Sequence, residues 1–297
     1  MPSVSVNTLR LEYESFGRDT DPCVLLIMGL GTQLTAWPLS FCEDLAARGY
    51  RVIRFDNRDV GLSTRLSEHG APKVPLIATL RLLGLPARVP YRLTDMAADA
   101  VGLLDALNIE RAHVVGASMG GMIAQLMAVH HADRVLSLTS IMSTTGHRSL
   151  PGPDPAARKA LLMRPDNPKD MRSVHRRNVT VRRILQSPGC RQSDKALDKM
   201  VGDALTRGGY DPAAAARHLA AVLASGHRRA LLASVEQPSL VLHGEEDILV
   251  KPACGRDTAD CLRNSQFVTF PGMGHDLPEA LMPEWARLID ENAARAG

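Results

Sequence analysis

Apolar positions along this chain fall into short, nearly continuous runs separated by stretches with helical spacing. Residues 23–28, 50–55, 112–116, 135–142, 239–243 and 266–270 are runs of the first kind. They are too short for helices, and their apolar continuity predicts strands covered on both faces. Residues 37–48, 94–107, 122–129 and 283–294 carry the helical pattern. Gly49 stops the first of these helices, and Thr94 is the expected N-cap of the second. Alternation in Val4-Ser5-Val6 and again over 9–13 predicts an opening antiparallel hairpin. Residues 65–91 hold four prolines and read as irregular, with one apolar stretch at 76–85. Strands alternating with helices at this spacing predict an α/β fold with a mostly parallel sheet and helices on both faces.

The pattern changes between residues 144 and 234. No convincing strand occurs there, and the segment is helical in character and rich in Ala and Arg. It holds 17 Lys and Arg against 7 Asp and Glu, although the whole chain is only +3. The expected organisation is a core of residues 1–143 and 235–297, interrupted by a helical cap at 144–234. Pairs such as Arg176-Arg177 and Arg182-Arg183 suit a solvated helix face, with recognition of an anionic substrate as the functional alternative. The overall charge is too small to imply nucleic acid. Five cysteines without a C-x-x-C pair argue for a reducing compartment and against a disulfide framework or a zinc site. The N-terminus lacks a signal-peptide pattern, and no apolar run approaches the ~20 residues of a membrane span. The expectation is a cytoplasmic protein, monomer or homodimer, with no membrane, metal or cofactor.

One turn carries most of the chemistry. Val114-Val115-Gly116-Ala117-Ser118-Met119-Gly120-Gly121 reads as strand, G-x-S-x-G turn and helix. Such a turn holds its serine in a strained conformation, with glycines permitting the close approach of helix and strand. A serine hydroxyl is a weak nucleophile at neutral pH unless a base accepts its proton. Suitable partners are expected just after downstream strands, because parallel-sheet sites form at the carboxyl ends of strands. Asp247 follows the run at 239–243, with Glu246 as a competitor. His275 follows the run at 266–270, in Pro271-Gly272-Met273-Gly274-His275. The order Ser118, Asp247, His275 is that of a Ser-His-Asp relay on a doubly wound sheet. Oxyanion donors are expected from the backbone N–H groups of Met119 and Leu30, with Gly29 letting the loop after the first buried run turn. A histidine base predicts activity that falls as pH drops through about 6–7, where a free imidazole protonates.

These residues resemble the α/β-hydrolase superfamily over nearly the whole chain. Gly116-Ala117-Ser118-Met119-Gly120-Gly121 is similar to its elbow. Gly244-x-x-Asp247-x-x-Val250 is similar to its acid loop, and Gly272-x-Gly274-His275 to its histidine loop. Asp56-x-Arg58-x-x-Gly61-x-Ser63 resembles a further loop found in many members. Within the superfamily the chain resembles the aclacinomycin methylesterase-like small-molecule carboxylesterases, through Leu25-Leu26-Ile27-Met28-Gly29 and the Gly-Met-Gly-His ending. The resemblance implies an inserted helical cap, a triad of Ser118, Asp247 and His275, and hydrolysis of a small-molecule ester without a cofactor. Met28-Gly29 stands where many members have His-Gly. Carbon–carbon-bond hydrolysis and perhydrolysis use the same triad, and a ligand receptor on this fold is the non-catalytic alternative.

Overall fold

A computed structural model describes residues 2–297. Eight strands form one sheet in the order β1-β2-β4-β3-β5-β6-β7-β8. Strands β1 (Ser3–Val6) and β2 (Leu9–Phe16) make the opening hairpin, and β2 runs antiparallel to β4 (Arg51–Phe55). The other strands are parallel: β3 (Cys23–Ile27), β5 (Ala112–Ala117), β6 (Val135–Ile141), β7 (Ser239–Gly244) and β8 (Ser265–Phe270).

Alternate residues of the central strands feed two cores. On β3, Leu25 and Ile27 join the core under α3 (Leu93–Ala106) and α4 (Met119–His130). Val24 and Leu26 join the opposite core, under α1 (Leu39–Ala47) and α11 (Met282–Ala294). This two-sided burial explains why the strands read as apolar runs rather than alternating ones. Helix α10 (Pro252–Cys261) joins β7 to β8.

Between β6 and β7 the chain is wholly helical: α5 (Pro155–Leu162), α6 (Met171–Leu185), α7 (Asp194–Gly208), α8 (Pro212–Ala224) and α9 (Arg229–Leu232). Ser193 and Asp211 cap α7 and α8 by accepting backbone N–H groups of Ala196 and Ala214. Val179, Leu197 and Val201 form a small separate core between α6 and α7. The arginines here are not uniformly solvated. Arg217 and Arg228 are fully buried, whereas Arg176 and Arg183 are exposed.

Three local expectations need correction. The stretch at 65–91 is not irregular throughout, because it contains α2 (Val74–Leu82). Pro75 lies in its first turn, where a missing N–H costs nothing, and Ile77 packs against Ala220 of α8. That packing is tertiary, and locally it showed only as the apolar stretch at 76–85. The N-cap of α3 is Arg92 rather than Thr94. Asp95 caps the turn by accepting the Arg92 N–H at 2.7 Å. Helix α4 begins at Met119, immediately after Ser118, rather than at Met122.

The five cysteines are free, and no described helix is long and apolar enough to cross a membrane. His113 of β5 is buried, with Nδ1 2.9 Å from Ser137 Oγ. Burial pushes its imidazole down from 6.5 to about 4. Between those values the unfolded chain binds the proton and the folded one does not. Stability is therefore full above about 6.5 and is lost as pH falls toward about 4. The loss amounts to roughly 3 kcal/mol for this group. Urea midpoints measured across this window should fall less steeply for His113→Asn than for the parent protein.

Candidate active site

The backbone around Ser118 is shaped before any side chain acts. Ser118 has φ +56° and ψ −118°, a left-handed conformation that side-chain-bearing residues rarely adopt. Its N–H donates to the Ile141 carbonyl at 2.9 Å, and its own carbonyl accepts from Ser143 Oγ at 2.8 Å. The two elbow glycines are required by close approach. A Cβ on Gly116 would lie 2.1 Å from the Gly120 carbonyl oxygen, and one on Gly120 only 2.0 Å from that of Ile27. The turn thus sits directly on the end of β3, with Ser118 at the N-terminus of α4.

His275 comes from the loop after β8. Its Nε2 lies 3.0 Å from Ser118 Oγ, and its Nδ1 lies 2.7 Å from Asp247 Oδ2. The His275 side chain is 9% exposed and that of Asp247 fully buried. Glu246, the competing acid, is exposed. A buried carboxylate is costly unless its lone pairs are satisfied. Asp247 Oδ1 accepts the N–H groups of Leu249 and Val250 at 2.8 and 2.9 Å, leaving Oδ2 to His275. Burial opposes ionisation of Asp247. The imidazoles of His275 and His243 outweigh it and hold the carboxyl well below the usual range.

Two features escaped the sequence reading. The acid and histidine loops are paired through backbone: Glu245 N donates to Phe270 O and Glu246 N to Met273 O. The histidine loop is also clasped by the end of α6. His275 N donates to Leu185 O at 2.8 Å, Gly274 N donates to Ser187 Oγ at 2.9 Å, and Ser187 Oγ is bonded to Asp276. Ser187 lies 87 residues from Gly274 and 89 from Asp276 in sequence, so no local pattern announces these partners. His243 is the other omission. It stands 3.6 Å from Asp247 Oδ2, beyond hydrogen-bond length, and its Nε2 instead bonds the Val250 carbonyl at 2.7 Å. That contact fixes the turn that supplies the Val250 N–H to Asp247.

The loop after β3 runs beside Ser118. A Cβ on Gly29 would lie 3.1 Å from Ser118 Cβ and 3.7 Å from its Oγ. Thr32 N donates to Gly29 O, Asn57 Nδ2 donates to Met28 O, and Leu34 N donates to Asp56. The N–H groups of Leu30 and Met119 have no acceptor among the described residues. Asp56 is fully buried and also accepts from Leu62 N and Arg207. The loop at 56–63 therefore buttresses the site. No group of three or more His, Cys, Asp or Glu among the described residues is arranged to hold a metal ion.

Comparison with known proteins agrees with this architecture. The family model for the alpha/beta hydrolase fold matches residues 22–279. The chain is 29% identical to the rhodomycin D methylesterase DauP of Streptomyces sp. strain C5, covering 96% of this chain and 95% of that protein. It is 27% identical to a putative carbamate hydrolase, RutD, of Variovorax paradoxus, covering 91% of each. Among solved structures, the enol-lactonase from Burkholderia xenovorans LB400 superposes with a TM-score of 0.74 at 22% identity, over 99% of this chain and 100% of that one. At that identity the likeness concerns the fold.

The elbow makes a stability prediction with its own control. Gly120→Ala sets a methyl group against the Ile27 carbonyl, whereas a Cβ on Gly152 meets nothing within 4 Å. Chemical denaturation should show a loss above about 3 kcal/mol for the first and less than about 0.5 kcal/mol for the second.

Proposed function

The chain belongs to the alpha/beta hydrolase fold family, and from that premise we propose that it is a serine esterase of small molecules. The observation that carries the proposal is the continuous contact from Asp247 through His275 to Ser118, at 2.7 and 3.0 Å, on a strained turn beside free backbone donors.

In this reading Ser118 attacks the ester carbonyl while His275 Nε2 takes its proton. Asp247 holds Nδ1–H, which selects the tautomer whose Nε2 is bare, and stabilises the imidazolium that forms. The Leu30 and Met119 N–H groups receive the oxyanion, each donor being worth about 3 kcal/mol. The positive end of α4 adds to that field. His275 then returns the proton to the leaving alcohol. Water, activated by the same imidazole, hydrolyses the acyl-enzyme and releases the acid.

The ester preference rests on the methylesterase relative, which aligns over 96% of this chain. A methyl ester of a small molecule is therefore the proposed substrate class. Residues 144–234 serve as a cap over the core formed by 1–143 and 235–297. The clasp of α6 on the histidine loop and the contacts of α7 and α8 with the loop after β3 support that division.

The decisive experiment measures hydrolysis of p-nitrophenyl esters of increasing acyl length by the parent protein and by Ser118→Ala and Asp247→Asn. Ser118→Ala should abolish turnover. Asp247→Asn should lower kcat by about 10⁴-fold, because an amide partner favours the wrong tautomer. Parent-level turnover in Ser118→Ala would end the serine-esterase reading.

A further inference from the structure

An imidazole helps to fasten the loop that carries the Leu30 N–H to the helices between β6 and β7. Gly31, in the left-handed region at φ +62°, donates its N–H to His218 Nδ1 at 3.1 Å. His218 lies on α8 and is fully buried. Its Nε2 lies 2.7 Å from the Arg58 carbonyl oxygen. These two partners fix the tautomer: Nε2 carries the proton and Nδ1 is the bare acceptor.

The surroundings keep the ring neutral. Burial pushes its pKa down and outweighs the opposing hydrogen bond to the Arg58 carbonyl and the charge of Asp59, with the Arg217 and Arg58 cations acting in the same direction as burial. The Tyr91 ring meets it edge-on at 6.3 Å. A charged ring would turn an N–H toward the Gly31 N–H and break the contact.

The arrangement bears directly on Leu30. The Gly31 N–H belongs to the rigid peptide plane that also holds the Leu30 carbonyl. On the other side, the plane holding the Leu30 N–H is bound through the Gly29 carbonyl to Thr32 N. With both planes held, and the Leu30 carbonyl also accepting from Thr32 Oγ1 at 3.2 Å, the two soft dihedrals of Leu30 are restrained, and with them the direction of its N–H. Gln33 reinforces the attachment by donating to the Ala204 carbonyl and accepting from Arg207, both on α7.

We propose that His218 is a positioning residue for the oxyanion loop, its neutral ring orienting the Leu30 N–H by bridging Gly31 and Arg58. The proposal rests on the esterase reading, in which the Leu30 N–H meets the acyl oxygen. It makes α8 part of the machinery for the chemical step, beyond any role as cover for the substrate.

Two near-isosteric variants separate positioning from packing. In His218→Asn the side-chain oxygen replaces Nδ1, keeping the acceptor for Gly31 and losing the donor to Arg58. In His218→Gln the terminal amide replaces Nε2, keeping the donor and losing the acceptor. Both remove the ring, so both lower Tm. With a p-nitrophenyl ester, His218→Gln should lose about 10–100-fold in kcat at nearly unchanged KM, and His218→Asn, which keeps the acceptor for Gly31 but loses the Arg58 anchor, should lose about tenfold less than His218→Gln. Equal losses in the two variants, losses that track Tm, or losses confined to KM would overturn the proposal. The ring-nitrogen chemical shifts of His218 in the unmutated protein give a check that needs no variant. They should report a bare Nδ1 and a protonated Nε2, and the opposite tautomer or an imidazolium overturns the proposal. Fluorophosphonate labelling of the parent distinguishes the two levels. No labelling at Ser118 and no ester turnover overturn the esterase reading and this proposal together. Turnover by the parent with equally slow Asn and Gln variants overturns this proposal alone.

Discussion

The structure depends on one unfavourable turn. Holding Ser118 in the left-handed region costs roughly 1–3 kcal/mol, and the cost must be offset by contacts that exist only when the sheet is assembled. The Ser118 N–H bonds to β6, its carbonyl accepts from Ser143, and Gly120 rests on the carbonyl of Ile27 at the end of β3. Three neighbouring strands therefore have to be in register before the serine can stand where it does. The β3, β5 and β6 pairings supply that register, and their two-sided apolar burial supplies the driving force.

A second constraint is the placement of buried charge. Asp247 can stay ionised without solvent because two backbone N–H groups and His275 satisfy it. Asp59 is handled in a similar way, bound by Arg217 through two hydrogen bonds and by the Tyr91 hydroxyl and the Leu66 N–H. Burial alone would raise its pKa, but these partners bring it below the usual carboxylate range. Arg207 meets Asp56 at 2.7 Å. Both arginines come from the helical insertion and both aspartates from the loop after β4. Buried ion pairs contribute little net stability, but they penalise misplacement, since an unpaired buried charge is expensive. The insertion is thus located on the core by charge matching as well as by apolar packing. The same matching explains why a segment so rich in arginine need not signal an anionic substrate.

These two constraints meet at the loops around Ser118. The loop after β3 is braced by its own Thr32–Gly29 bond and held by Asn57 on one side and by His218 and the Ala204 carbonyl on the other. The histidine loop is held between the acid loop and the end of α6. Each loop is therefore fixed from the sheet side and from the helices between β6 and β7 at once, as the proposed site, with donors and a base to hold within fractions of an ångström, requires.

The sequence by itself determined what short-range physics writes locally. Continuous apolar runs marked strands covered on both faces, and G-x-S-x-G marked the one place where glycine is needed on either side of a strained serine. The positions of Asp247 and His275 just beyond strands marked them as candidates, because parallel strands deliver their loop residues to one edge of the sheet. Only the tertiary structure placed Asp247 rather than Glu246 against His275, since that placement depends on which side chain turns inward where the Leu249 and Val250 N–H groups can reach it. It also decided that α2 is a helix, that Arg92 rather than Thr94 is the N-cap of α3, and that His218 lies beside Gly31. Each of these rests on contacts between residues distant in sequence, or on the direction of one backbone N–H. A linear pattern carries neither, because burial and hydrogen-bond direction come into being only when the layers pack.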